Sequence, residues 1–207
     1  KKIIKNFDAT LSFNWDNLYE YSYKILNGNT IQTNQLGFSE TMLCKPALLK
    51  LHGSLSWGKC TKCNSLFVFP DKIEHLIHES ASCPKCIENS LMPTSILPTL
   101  NKFKIISEDK DNRNALPPFR RIWHCAMHAL TDATEIYCFG HSLSDTDAHT
   151  QIFFKSAIQN NINDQVKVYV INKHCSKDLK QRYIKTFGSK AKIEFIEKTF
   201  KEFLDKV

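Results

Sequence analysis

Apolar positions along the chain fall into short blocks, and their spacing predicts a series of compact elements. Residues 8–15 (Asp-Ala-Thr-Leu-Ser-Phe-Asn-Trp) read as a short buried strand. Asp16 then stands where a helix would be capped, and Leu18, Tyr21, Tyr23 and Ile25 supply the apolar positions of a helix from Asn17 to about Leu26. Residues 27–46 are polar and rich in Asn, Gly and Thr, the composition of a loop. Ala47–Leu51 is a second apolar strand. Beyond Trp57 the periodic runs stop, and cysteines, aromatics, Pro70, Pro84 and Pro93 take over. A strand at Phe67–Phe69 and a helical turn at Ile73–His78 are predicted there. Ser95–Leu100 reads as extended, and residues 107–118 as a charged loop ending in Pro117-Pro118.

From Phe119 the regular pattern returns. Phe119, Ile122, Trp123, Ala126, Met127 and Leu130 recur at helical spacing up to Thr131. A strand at Glu135–Phe139, a turn at Gly140–Asp147 and a helix at Ala148–Gln159 follow. Next come a strand at Val166–Ile171, a helix at Asp178–Phe187, a strand at Ile193–Ile196 and a helix at Phe200–Leu204. Strands apolar on both faces that alternate with helices indicate an α/β fold, a Rossmann-like parallel sheet with helices on both faces. The expected division is one such domain over residues 1–57 and 96–207, interrupted by a small module at 58–95. Ligands of these sheets bind at the carboxyl ends of the strands. Asn14 with Asp16, His52 with Gly53, Gly140 to Ser142, and Asn172 all fall at such ends, on different strands that can converge on one crevice.

The interrupting module carries the strongest chemical signal. Cys60 and Cys63 form one Cys-x-x-Cys pair, Cys83 and Cys86 another. Four thiolates at this spacing can converge on one tetrahedral Zn²⁺, which marks the module as a small inserted zinc ribbon of the four-cysteine type. So small a unit buries too little apolar surface to fold alone, and the metal supplies on the order of 10 kcal/mol. With four thiolates the ion has no open position, so its role is structural. His75 and His78 lie between the pairs as spare ligands to a complete set. His141 and His149 flank Asp145 and Asp147, an acidic turn that reads as surface before it reads as a second metal site.

Cys44, Cys125, Cys138 and Cys175 are widely spread and read as buried free thiols of a reducing cytoplasm. The 207 residues carry a net charge of +7 from 28 basic and 21 acidic side chains, without a run of like charge. That charge leaves nucleic-acid binding open without requiring it. No signal peptide or membrane-spanning stretch is legible, so no membrane partner is expected.

Taken in order, several segments resemble the sirtuin superfamily. Ser12-Phe13-Asn14-Trp15-Asp16 is similar to the family's Thr-Gln-Asn-Ile-Asp, and Leu51-His52-Gly53-Ser54 to its catalytic Leu-His-Gly. The four cysteines fall where its structural zinc lies. Gly140-His141-Ser142-Leu143 is similar to its Gly-Thr-Ser-Leu, and Ile171-Asn172 to the Ile-Asn that holds the adenosine ribose. The family's opening glycine-rich phosphate loop has no counterpart here, which implies an N-terminal segment outside this chain. Phe13 replaces the usual Gln, and His141 the usual Thr. Leu97-Pro98-Thr99-Leu100-Asn101-Lys102 stands where the acyl-lysine channel has a Val or Phe-Gly segment. With the Asn-Trp-Asp and Ser-Leu-Ser-Asp-x-Asp patterns, these departures resemble the divergent bacterial sirtuin-like domains associated with NAD⁺ hydrolysis in anti-phage defence.

The resemblance implies cleavage of the nicotinamide–ribose bond of NAD⁺. Asn14 would hold a water or ribose hydroxyl, and His52 would be the general base, a role open to imidazole because that group can titrate near neutral pH. Asp16 would orient Asn14 or the ribose, or simply cap its helix. Ser142 with the turn at Gly140 would contact phosphate or ribose, or form an ordinary strand-to-helix turn. Asn172 would bind the adenosine ribose, or end its strand. Defence enzymes of this type imply a homo-oligomer or a larger multidomain or multi-protein assembly. Two other readings stay open: an NAD⁺-dependent protein deacylase, and a non-catalytic module that binds NAD⁺, ADP-ribose or nucleic acid.

Overall fold

The computed structural model describes residues 7–37, 44–63, 65–69, 82–87, 91–95 and 118–205. The chain divides into two compact units, Lys1–Cys125 and Ala126–Val207. The helical turn expected at 73–78 and the extended stretch at 96–100 lie outside the described residues.

Among its described residues, the first unit holds two sheets. β1 (Ala9–Ser12) pairs in parallel with β2 (Ala47–Lys50), register Ala9↔Ala47 through Ser12↔Lys50. Between them come helix α1 (Leu18–Asn27), closed by Gly28 in the left-handed region, and a single 3-10 turn at Thr33–Gln35. β2 is buried along its whole length, as its run Ala-Leu-Leu requires. The second sheet is antiparallel: β3 (Gly53–Cys60) lies between β4 (Leu66–Val68) and β5 (Leu91–Ser95). β3 begins directly after the His52 turn and ends on the first zinc-site cysteine. Trp57, fully buried at its centre, meets the Phe119 ring at 6.2 Å.

Helix α2 (Pro118–Asp132) spans the division between the units. The second unit is a three-stranded parallel sheet in the order β6 (Glu135–Phe139), β7 (Val166–Asn172), β8 (Ala191–Glu197). Helices α3 (Ala148–Gln159), α4 (Lys177–Phe187) and α5 (Phe200–Leu204) alternate with the strands. Asp147, Ser176 and Thr199 cap them, each accepting a backbone N–H in the first turn. The sheet is covered on both faces. Tyr183 of α4 packs on Phe195 at 6.2 Å and stacks on Phe187, while Phe200 and Phe203 of α5 meet Phe139 from the side opposite Cys138. The fold is therefore α/β, with parallel strands, covering helices and a separate antiparallel sheet that carries the cysteines. No helix among the described residues is long and apolar enough to cross a membrane.

Candidate functional site

In the first unit, two parallel strands lead into the segments that carry Asn14 and His52. Ser12 and Lys50, the last residues of β1 and β2, are register partners. Leu51 N–H donates to Ser12 O at 2.9 Å and extends the pairing one step. Asn14 and His52 thus follow at equivalent positions past the two strand ends. Gly53 reverses the chain at φ 81°, a left-handed value that glycine adopts without strain. Trp123 Nε1 donates to Leu51 O at 3.1 Å and fixes the start of the turn.

His52 is 7% exposed. The ring against it is Phe13, edge-on with centroids 5.1 Å apart and planes at 72°. The residue preceding Asn14 therefore supplies the aromatic wall of the histidine. Asn14 itself is exposed, and its N–H donates to Ser12 Oγ at 3.2 Å. Asp16 is also exposed, and its Oδ1 accepts from Leu18 N–H at 3.0 Å, satisfying one orphan amide at the start of α1.

Beneath these turns lies a charged group with no motif to announce it. Lys50 is 1% exposed and Glu20 of α1 is 8% exposed. Lys50 Nζ donates to Glu20 Oε1 at 2.9 Å, to Ser54 Oγ at 2.8 Å, and to the backbone oxygen of Asp16, with a longer contact of 3.4 Å to Trp15 O. Ser54 Oγ reaches Asn17 Oδ1 at 3.0 Å and Ser56 Oγ at 3.1 Å. Burial pushes the Lys50 ammonium below the usual lysine range, against the opposing pull of Glu20. The available sequence signal was a single charge inside Ala-Leu-Leu-Lys-Leu, since a lysine in a buried strand needs a counter-charge. Its counter-charge stands 30 residues earlier, on another element.

The four cysteines converge. All four sulfurs lie within 4.8 Å of one another, with Cys60 Sγ to Cys86 Sγ at 3.6 Å and Cys63 Sγ to Cys83 Sγ at 3.5 Å. A tetrahedral site with Zn–S bonds of about 2.3 Å has a sulfur–sulfur edge of about 3.8 Å. Backbone N–H groups support the sulfurs as they would thiolates: Lys62 and Cys63 donate to Cys60 Sγ, and Lys85 and Cys86 to Cys83 Sγ. The donor set therefore fits a structural zinc. It is the one group of three or more potential ligands that comes together among the described residues. Of the other thiols, Cys138 and Cys175 are buried, Cys125 is half-buried and Cys44 is exposed, so burial does not extend to all four.

The second unit brings its own expected residues to one end of its sheet. Phe139 and Ile171 are register partners on β6 and β7, so Gly140 leaves the sheet beside Asn172, the last residue of β7 and still paired with Glu197 of β8. Gly140 turns at φ 62°, and its N–H is committed to Ile171 O at 3.0 Å. Ser142 is exposed. The loop around it is held by α4, where Arg182 Nε donates to Ser142 O at 3.0 Å and the Tyr183 hydroxyl to His141 O at 2.8 Å. Asn172 Oδ1 accepts from His174 N–H at 3.4 Å. Asp147 is engaged as the cap of α3, bonded to both the N–H and the hydroxyl of Thr150. His75, His78 and Leu97–Lys102 lie outside the described residues.

No protein-family model matches this chain, and no curated protein matches it. Solved structures similar to it include sirtuins. A Sir2 variant with deacetylated p53 peptide and 3'-O-acetyl ADP ribose is 13% identical, at 97% of this chain and 60% of that one, TM-score 0.48. A structure on sirtuin substrate affinity is 17% identical over 77% and 52%, TM-score 0.44. Sir2 with p53 peptide and NAD⁺ is 15% identical over 80% and 55%, TM-score 0.43. The chain thus spans between half and two thirds of the length of these structures.

Proposed function

We propose that this chain is the core of a sirtuin-like domain that hydrolyses NAD⁺ at its nicotinamide–ribose bond, as part of an anti-phage effector that depletes the dinucleotide. One observation supports the reading: Asn14 and His52 each stand two residues beyond a pair of register partners, Ser12 and Lys50, on adjacent parallel strands, and the Leu51 N–H to Ser12 O bond continues that pairing by one step. His52 accepts the proton of the attacking water or of a ribose hydroxyl. Asn14 orients that oxygen without changing its charge. Asp16 lends a carboxylate near the same turn. As the carbon–nitrogen bond breaks, nicotinamide leaves with the bonding electrons, water oxygen bonds to the ribose carbon, and one proton is released. Oxocarbenium character in the transition state makes this placement worth more than binding strength. By the same resemblance, Gly140, Ser142 and Asn172 are the residues proposed to contact phosphate and adenosine ribose. The zinc holds β3 and performs no chemical step.

The test is incubation of the full-length protein with NAD⁺, with and without candidate triggers, products resolved by mass. Free ADP-ribose and nicotinamide are expected without any peptide. His52→Ala and Asn14→Ala should each lower turnover by about 10²-fold or more while zinc content is retained. Wild-type turnover in both variants sinks the assignment. O-acyl-ADP-ribose formed only with an acyl-lysine peptide would establish deacylation instead.

A further inference from the structure

A buried ion pair is a poor stabilising device, because desolvation offsets its attraction and an apolar pair of similar volume does as well or better. The Lys50–Glu20 pair therefore calls for another reason, and its connections supply one. Lys50 lies two residues before His52, and Ser54, which it holds at 2.8 Å, lies two residues after it. The same ammonium grips the Asp16 carbonyl and touches that of Trp15, the two residues following Asn14. Trp15 O also accepts Leu55 N–H at 3.0 Å, a direct stitch between the two turns. Glu20 Oε1 anchors the ammonium from α1 at 2.9 Å. A methionine could fill the same space, but it would leave the Asp16 carbonyl unheld.

We propose that Lys50 and Glu20 are the positioning pair of the reactive site, one buried ammonium locking the Asn14 turn and the His52 turn in a single geometry. The inference rests on the function proposed above. Neither residue touches the reacting atoms. They act through the backbone that carries Asn14 and His52, where a displacement near 1 Å can lower a rate by about 10²-fold.

The test uses the full-length protein bearing Lys50→Met together with Glu20→Met, which removes both charges and leaves neither buried alone. Zinc content and tryptophan emission report folding. Turnover at saturating NAD⁺ should fall by about tenfold to a hundredfold, with KM changed less than about threefold. Amide exchange in segments 13–18 and 52–55 should accelerate by about tenfold or more, while that of β6–β8 is unchanged. Unchanged turnover in a protein whose wild type consumes NAD⁺ overturns the proposal. If the wild type shows no NAD⁺ cleavage, the function fails first, and exchange still decides the positioning: wild-type exchange in both turns overturns it, and faster exchange in both upholds the lock.

Discussion

Replacing Cys83 by serine should release the zinc and reach His52 through β3, although Cys83 lies 31 residues further along the chain (83 less 52). Among the described residues, the core around the sulfurs consists of Cys60, Cys83 and Leu91, with Phe67 and Phe69 partly buried against it. Even full burial of Leu91 and both phenylalanines would contribute about 5–9 kcal/mol, at about 1.5–3 each. A structural zinc contributes about 10–16 kcal/mol, so the metal outweighs the apolar contacts. If one thiolate in four carries a quarter of that, its loss removes about 2.5–4 kcal/mol, or about 10²–10³ in zinc affinity. Competition with a chromophoric chelator measures this directly. Structure can be followed in the same sample, because all three tryptophans (Trp15, Trp57 and Trp123) belong to the first unit, and Trp57 pairs with Val68 from the central strand of the antiparallel sheet. Metal loss should shift Trp57 emission to the red and lower NAD⁺ turnover together. A Cys83→Ser protein that binds zinc with wild-type affinity would remove Cys83 from the ligand set. Metal loss with unchanged emission and turnover would show that β3 does not transmit the effect.

Gly37→Ala should destabilise the first unit by about 2–5 kcal/mol, combining left-handed strain with a forced contact. Gly37 has φ 73°, and an added Cβ would stand 3.0 Å from Leu49 Cδ2, on a leucine with no exposure. Gly28→Ala is the control, with φ 72° and nothing within 4 Å; urea titrations read by tryptophan emission should separate the two, and equal midpoints would refute the packing part. In the second unit, burial first and then the Glu135 carboxylate push the Tyr137 phenol up to about 12. The unfolded phenol ionises near 10, so between about pH 10 and 12 the unfolded state binds fewer protons and stability falls as pH rises. Absorbance at the phenolate band should show Tyr137 titrating late, and earlier in Glu135→Gln; an unmoved step would exclude Glu135 as a cause.

How much was legible depended on whether a signal was local. In the second unit β6, α3 and α5 match their expected spans residue for residue, because each is an apolar block bounded by Gly, Asp or Thr. β7 and β8 run further than expected, to Asn172 and from Ala191 to Glu197, since ladder hydrogen bonds continue past the last apolar side chain. The zinc ligands were legible from spacing alone. β3 was not, because Gly-Ser-Leu-Ser-Trp-Gly-Lys-Cys is poor in strand formers, and it is a strand by virtue of pairing with β4 and β5. β1 is shorter than the apolar run at 8–15 suggested, since Phe13 leaves the sheet to pack on His52. The partnership of Lys50 with Glu20 depends on helix α1 folding back on β2, which no pattern within either segment encodes.

Two non-apolar anchors bracket the same stretch of chain, and that arrangement explains its composition. From Lys50 to Cys60 the residues run through a turn and a strand in which Ser54 and Ser56 are fully buried alongside Leu51 and Trp57, so polar groups share the interior with apolar ones. At one end the stretch is tied by an ammonium to four oxygen acceptors, and at the other by thiolates suited to a metal. Directional bonds fix a position more narrowly than apolar packing does, which is what the general-base role proposed for His52 would require. Both anchors act on His52 through a single strand. Loosening either one therefore releases the same element, and their effects on turnover are coupled rather than additive.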